Sequence, residues 1–330
     1  MAECLISIGS NLGDRSLVID AALAELQSTP AISLRRVSRP HITQPIGGPA
    51  GQDSFANAAA HIETSLSPTK LLSVLQELES QAGRTRAVRW GPRSLDLDLL
   101  LYDDVIMNEE SLVLPHPRMA FRRFVLTPAA EIAPQMLHPL LRRSILQLLE
   151  HLEQAPNYVA ITGVPRVGKA KLAEAVAART KAVAVLDRQS GWSPIVSTPS
   201  PSLQAELEFL RRRRELLGSV NCSRSEPYAI SDFWLSQCVA YANEMGPEEI
   251  RQLEAALLDC GDQVAAPKLI VVLESDWIKS SPDEQTESHI EFQRELRKLV
   301  LKPGQPPSLR LDAANAAWNE EEVVAAILAM

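Results

Sequence analysis

Two aspartates one residue apart, Asp96 and Asp98, stand inside the run RWGPRSLDLDLLLY at 89–102. In a strand, alternation places both carboxylates on one face and Leu95, Leu97 and Leu99 on the other, buried face. Like charges held that close repel unless a cation or a shared proton offsets them. Hard oxygen ligands without His or Cys point to magnesium rather than zinc. A solvated edge strand with alternating charge is the competing reading of the same spacing. Arg84, Arg86, Arg89 and Arg93 cluster just before the carboxylates. Metal between oxygens and guanidinium forks on the remaining charge are what a polyphosphate site needs. Gln76 and Glu79 lie three apart, on one face of the preceding helix and toward the same connection. Downstream, His116, Arg122, Arg123 and Phe124 read as a loop with further phosphate donors and an aromatic plate.

A second constellation is GVPRVGK at 163–169, which follows a strand-like run and opens a helix. Gly163, Gly168 and Lys169 in that context form a phosphate cradle, with backbone N–H groups and the ammonium aimed at an anion. Ala170 stands where such a motif carries the hydroxyl that ligates magnesium. Arg211 to Arg214 invite a nucleic-acid reading, but successive helical residues fan out by ~100° each. The expectation there is a solvated or salt-bridged helix.

The elements that must position these residues divide the chain in two. A length of 330 residues favours two domains. The first half reads as a strand at 5–8, a Gly-Ser-Asn turn, a helix at 16–27 and extended segments at 34–42 and 55–63. A helix opened by Ser67 and Pro68 and a strand at 95–102 follow, then short helices to Leu149. The order βαββαβ is that of an α+β ferredoxin-like sandwich. After a boundary near Gln154 to Asn157, the pattern becomes strand 158–162, glycine loop, helix 169–179, strand 182–186 and a later strand 269–273. That alternation predicts an α/β P-loop domain with a parallel sheet, so the domains are 1–153 and 154–330, with 190–202 a loop beside the second sheet.

The net charge of −8 argues against a chain whose main task is coating nucleic acid or an anionic membrane. Four cysteines without a C-x-x-C pair suggest neither a disulfide framework nor a zinc site, and read as buried, reduced thiols. No basic leader and no run of ~18 apolar residues is present. The protein is expected to be cytoplasmic.

Residues 4 to about 150 resemble the 6-hydroxymethyl-7,8-dihydropterin pyrophosphokinase family of folate synthesis. The resemblance rests on IGSNLGD at 8–14, DSFANAA at 53–59, QELE at 76–79, GRTR at 83–86, RWGPRSLDLD at 89–98 and LPHPRM at 114–119. It implies transfer of pyrophosphate from ATP to a pterin alcohol, with two magnesium ions on Asp96 and Asp98. Arg84 and Arg93 would grip phosphates, and Gln76, Glu79, His116 and Arg122 would contact the nucleotide. Phe55 and Phe124 would sandwich the pterin, Thr43 and Asn57 would bond its edge, and Trp90 would close over the substrates. Gln44 and Ser111 depart from the family's pattern.

From about residue 156 the chain resembles deoxynucleoside kinases of the P-loop class, through 158–169, LQAELEFLRRR at 203–213, ISDFWLSQCVAYA at 230–242 and APKLIVVL at 266–273. By that resemblance Gln204 would face a nucleobase and Asp232 a sugar hydroxyl. Three departures stand out: Ala170, Asp187 in place of a glutamate base, and the acidic run 274–284 in place of an arginine-rich lid. The preferred expectation is a pterin pyrophosphokinase carrying an inactive kinase-like domain that serves as a scaffold or homodimerisation module. The alternative is a bifunctional enzyme that also phosphorylates deoxynucleosides. A noncatalytic binding protein is opposed by the acid and arginine set at 84–98. The partners implied are ATP and the pterin, with no nucleic acid and no membrane.

Overall fold

The computed structural model describes residues 1–83, 90–188, 202–261, 264, 266–275 and 284–330, without the side chains of 241–244, 261 and 284–288. Arg84, Arg86, Arg89, the 190–201 stretch and most of the acidic run therefore lie outside the described residues. The chain forms two compact units, Met1–Leu152 with Leu328–Met330, and Glu153–Ile327. Among the described residues no helix is long and apolar enough to cross a membrane.

The first unit is built on an antiparallel sheet of β1 (Ala2–Ser10), β2 (Ile32–Val37), β3 (His41–Thr43), β4 (Phe55–Thr64) and β5 (Asp96–Tyr102). Its order is β2-β4-β1-β5, with β3 pairing β4. Helix α1 (Arg15–Ser28) starts at Asp14, whose side chain accepts from Leu17 N–H. Helix α2 (Pro68–Gln81) starts at Ser67 with Pro68 in its first turn. Leu71, Leu75, Ile19 and Leu26 from these helices share a core with Ile6, Ile8, Ala58, Leu97 and Leu99 from the sheet.

The expected single segment at 34–42 is two strands. Pro40 has no N–H to give a ladder, and Ser38 instead exchanges bonds with Ala59, by its N–H to the carbonyl at 3.0 Å and its Oγ to the N–H at 2.9 Å. The expected loop at 116–124 is also corrected: Met119–Phe121 is a 3-10 turn, and Arg123 and Phe124 open helix α3 (Arg123–Ile132), which packs on β4. Two small ribbons, β6 (Met107–Asn108) with β7 (Val113–Leu114) and β8 (Leu137–His138) with β9 (Arg143–Ser144), precede helix α4 (Ile145–Gln154).

The second unit holds a parallel sheet ordered β11-β12-β10-β13-β14. Its strands are β10 (Tyr158–Gly163), β11 (Val183–Val185), β12 (Ala229–Ser231), β13 (Leu269–Glu274) and β14 (Ser308–Asp312). Strands β12 and β14 were not in the sequence expectation, being short runs of three and five residues. After β10 the chain builds one edge of the sheet and then crosses to the other, so β10 lies at the switch point where α/β sheets take ligands. Helix α5 (Lys169–Thr180) follows β10, and α6 (Leu203–Gly218) carries the arginine run. All four cysteines are free; Cys222 is half-buried, against the expectation of burial throughout.

His138 is buried, and its Nδ1 accepts from Leu141 N–H at 3.2 Å. Burial pulls its pKa down to about 4. The unfolded imidazole, near 6.5, takes a proton first, so this contribution is complete above pH 6.5 and lost as pH falls toward 4. Urea titrations should show stability dropping by about 1–3 kcal/mol across that window, with a flatter slope in His138→Gln.

Candidate active site

Strand register assembles the first site. Gly9 of β1 pairs with Asn57 of β4 on one side and Asp96 of β5 on the other, while Ser7 pairs with Ala59 and Asp98. His41 of β3 pairs with Asn57, so one row of positions runs His41, Asn57, Gly9, Asp96 across four strands. A Cβ on Gly9 would lie 3.4 Å from Asn57 Oδ1 and 3.8 Å from Asp96 Cβ. Glycine therefore leaves a trough between the amide and the carboxylate. Phe55, two residues from Asn57 and on its face, pairs with Thr43, and Asn57 Nδ2 donates to Thr43 Oγ1 at 2.8 Å.

Leu97 and Leu99 are buried while Asp96 and Asp98 are partly exposed, as the alternation requires. Arg93 Nη1 bonds Asp96 Oδ2. His116 Nε2 lies 4.0 Å from Asp98 Oδ2. His116 Nδ1 accepts from Arg118 N–H at 3.2 Å, which puts the ring proton on Nε2, facing the carboxylate. Burial, with Arg122 and Arg118 nearby, pulls His116 down to about 3, so the imidazole is neutral. Glu79 is buried in α2 and accepts from Leu97 N–H at 2.7 Å, between the two aspartates. Gln76 is exposed on the same helix. The Arg122 guanidinium lies 5.6 Å from the Phe124 ring centre, both at the start of α3.

Trp90 packs on the loop between β3 and β4. A Cβ on Gly47 would come within 2.8 Å of its ring, and one on Gly48 within 2.2 Å of its carbonyl oxygen. Both glycines have positive φ, +71° and +76°. Two residues that sequence reasoning left without a role are Asn11, in the IGSNLGD run, and Gln52. Asn11 exchanges hydrogen bonds with the backbone of Arg93, and Gln52 Nε2 donates to Trp90 O at 3.0 Å. The IGSNLGD run signals Asn11 alone, and it does not say which loop that residue bonds.

Among the described residues no group of three or more His, Cys, Asp or Glu could hold a metal by itself. Two carboxylates without a third such ligand among the described residues suit magnesium, which keeps waters and takes substrate phosphate oxygens into its octahedron. His116 offers a donor rather than a lone pair, so it does not turn the pair into a zinc site.

Residues 5–134 match the family model of 7,8-dihydro-6-hydroxymethylpterin-pyrophosphokinase. The chain is 46% identical over 131 residues to the 2-amino-4-hydroxy-6-hydroxymethyldihydropteridine pyrophosphokinase of Bacillus subtilis, 40% of this chain and 78% of that protein. It is 42% identical over 137 residues to the enzyme of that name from Methylorubrum extorquens, 42% of this chain and 86% of that protein. The chain belongs to the dihydropterin pyrophosphokinase family. The family match ends before the second unit begins. A solved deoxyadenosine kinase from M. mycoides aligns at 11% identity with a TM-score of 0.39, covering 52% of this chain and all of that one.

In that unit Gly163 (φ +145°) admits no side chain, since a Cβ would meet Leu273 O at 2.3 Å. Gly168 is left-handed and caps α5. Lys169 Nζ turns back onto the carbonyls of Gly163 and Val164, at 3.0 and 2.8 Å. Burial pulls this ammonium down to about 8, although Asp232 lies near. Asp187 is buried, with one carboxylate oxygen on Arg212 and the other on Arg213 Nε at 2.9 Å. Arg211 pairs with Glu208 and Glu215 on its own helix, and Arg214 with Asp259, so the arginine run is salt-bridged as expected. Glu274, the first residue of the acidic run, ends β13 and is held by Arg297 and Arg310. Gln204 is exposed, whereas Glu206, unremarked in the sequence, is buried with no hydrogen-bond partner for Oε1. Burial pushes its carboxyl up to about 7.

Removing Asp187 strands two mostly buried guanidiniums. Asp187→Ala should lose about 3 kcal/mol, read as a lower urea midpoint. AMP formation by the first unit at low denaturant should be unchanged.

Proposed function

We propose that residues 1–153, folded as a ferredoxin-like sandwich, transfer pyrophosphate from ATP to the hydroxymethyl group of 6-hydroxymethyl-7,8-dihydropterin, a step of folate synthesis. The row Asn57, Gly9, Asp96 carries the reading. It sets polar edge contacts for a flat heterocycle beside a carboxylate pair, with an arginine and an imidazole N–H at the phosphate end. The pterin lies between Phe55 and Phe124, gaining dispersion on both faces, while Asn57 and Thr43 bond its edge and Trp90 covers it.

The hydroxymethyl oxygen forms a bond to the β-phosphorus of ATP. The bond from that phosphorus to the oxygen it shares with the α-phosphorus breaks, AMP leaves with that oxygen, and the hydroxyl proton passes to solvent. Two magnesium ions on Asp96 and Asp98 would neutralise phosphate charge and lower the alcohol's pKa. Arg84 and Arg93 hold the transferring phosphates, and neutral His116 offers its Nε2–H to the nucleotide. Gln76, Glu79 and Arg122 complete the nucleotide side, Glu79 by fixing Leu97 between the metal-binding aspartates. Such a transition state demands alignment and charge neutralisation more than a strong base.

The second unit, in the same reading, binds a phosphate-bearing ligand at Gly163, Gly168 and Lys169 without transferring phosphate. Its loop retains backbone donors and the ammonium. Both oxygens of Asp187 are occupied by arginine, and Ala170 offers no metal ligand.

Asp96→Ala and Asp98→Ala should each lower AMP formation at least about a hundredfold with the melting temperature retained. Near wild-type turnover in either at ordinary magnesium overturns the metal assignment. In the Asp96→Ala full chain, ATP and a deoxynucleoside panel should yield no ADP above background. Magnesium-dependent ADP production that Lys169→Ala removes would establish the bifunctional alternative.

A further inference from the structure

We infer that Asn11 and Gln52 are positioning residues that join the pterin side of the site to its phosphate side, by holding the segment Trp90 to Arg93 at both ends. This rests on the pyrophosphokinase reading of the same site. Asn11 is 1% exposed and directly follows β1. Its N–H donates to Arg93 O at 3.0 Å, and its Oδ1 accepts from Arg93 N–H at 2.7 Å. That pair fixes the amide's orientation, leaving Nδ2 to donate to Asp53 O at 3.2 Å and Gln52 Oε1 at 3.4 Å. Gln52 is thereby oriented too, and its Nε2 donates to the carbonyls of Trp90, Pro49 and Gly47 at 3.0, 3.2 and 3.3 Å.

The consequence is geometric. Arg93 must reach Asp96 three residues on, and Trp90 must lie on the Gly47 loop. Neither end of the segment belongs to the sheet, since β5 begins only at Asp96. Without Asn11 and Gln52 the Arg93 fork would lose its hydrogen-bonded links to the end of β1 and to the 47–52 loop. With them, a pterin that settles the 47–52 loop also settles the guanidinium that meets the phosphates. A shift of about 1 Å in such a group costs on the order of a hundredfold in rate.

The test uses the full chain with ATP, magnesium and hydroxymethyldihydropterin, measuring AMP release and melting temperature. Gln52 is only half-buried, so Gln52→Ala should fold. It should lose about 10- to 100-fold in kcat, with KM for ATP changed less than about threefold. A double-mutant cycle separates positioning from general structural support. Placed in an Arg93→Ala background, with enzyme raised until the residual rate is measurable, Gln52→Ala and Asn11→Ala should each cost less than about threefold more. Losses that multiply with that of Arg93→Ala, or a wild-type kcat in Gln52→Ala, overturn the inference. If Asn11→Ala does not fold, the Gln52 cycle decides alone. A wild-type chain that releases no AMP overturns the pyrophosphokinase reading instead.

Discussion

Leu97 and Leu99 enter the core between the sheet and helices α1 and α2, which leaves Asp96 and Asp98 on the opposite face. Each buried leucine is worth about 1.5–3 kcal/mol, and a slip of one residue would expose both while burying two carboxylates. The hydrophobic core thus aims the charges. The same register sets Gly9 between Asn57 and Asp96, so the trough is a property of strand pairing rather than of a flexible loop.

Beside that floor Arg93 and His116 arrive on segments that regular secondary structure does not hold. His116 is oriented by the Arg118 N–H on its ring and by its backbone N–H, which donates to Leu100 O, and Arg93 by Asn11. Each anchor is a buried or half-buried polar contact to backbone, which fixes direction as well as distance. Glu79 shows the same economy, since a residue expected on the nucleotide side also satisfies the N–H between the two aspartates.

The second unit spends its charges differently. Asp187 and Glu274 each accept from two arginines, and Lys169 caps carbonyls of its own loop. Carboxylates matched in this way hold elements together, Asp187 buried and Glu274 partly exposed. Freeing Asp187 would unpair two guanidiniums.

The sequence by itself determined which chemistry the first unit can do. The DLD alternation, the flanking arginines and the Ser67 and Pro68 helix start are local patterns whose physics acts within a few residues, and they were legible without coordinates. It also determined the glycine loop, because strand, glycines and lysine are consecutive. Only the tertiary structure decided the row from His41 to Asp96, the split of the second extended segment at Pro40, and the start of α3 at Arg123. It likewise decided that Asp187 faces Arg212 and Arg213, and that Asn11 meets Arg93 across 82 residues of chain. Those outcomes depend on strand register and on which buried polar atom finds which partner. Both are settled by packing between segments far apart in sequence, where no local spacing carries the information.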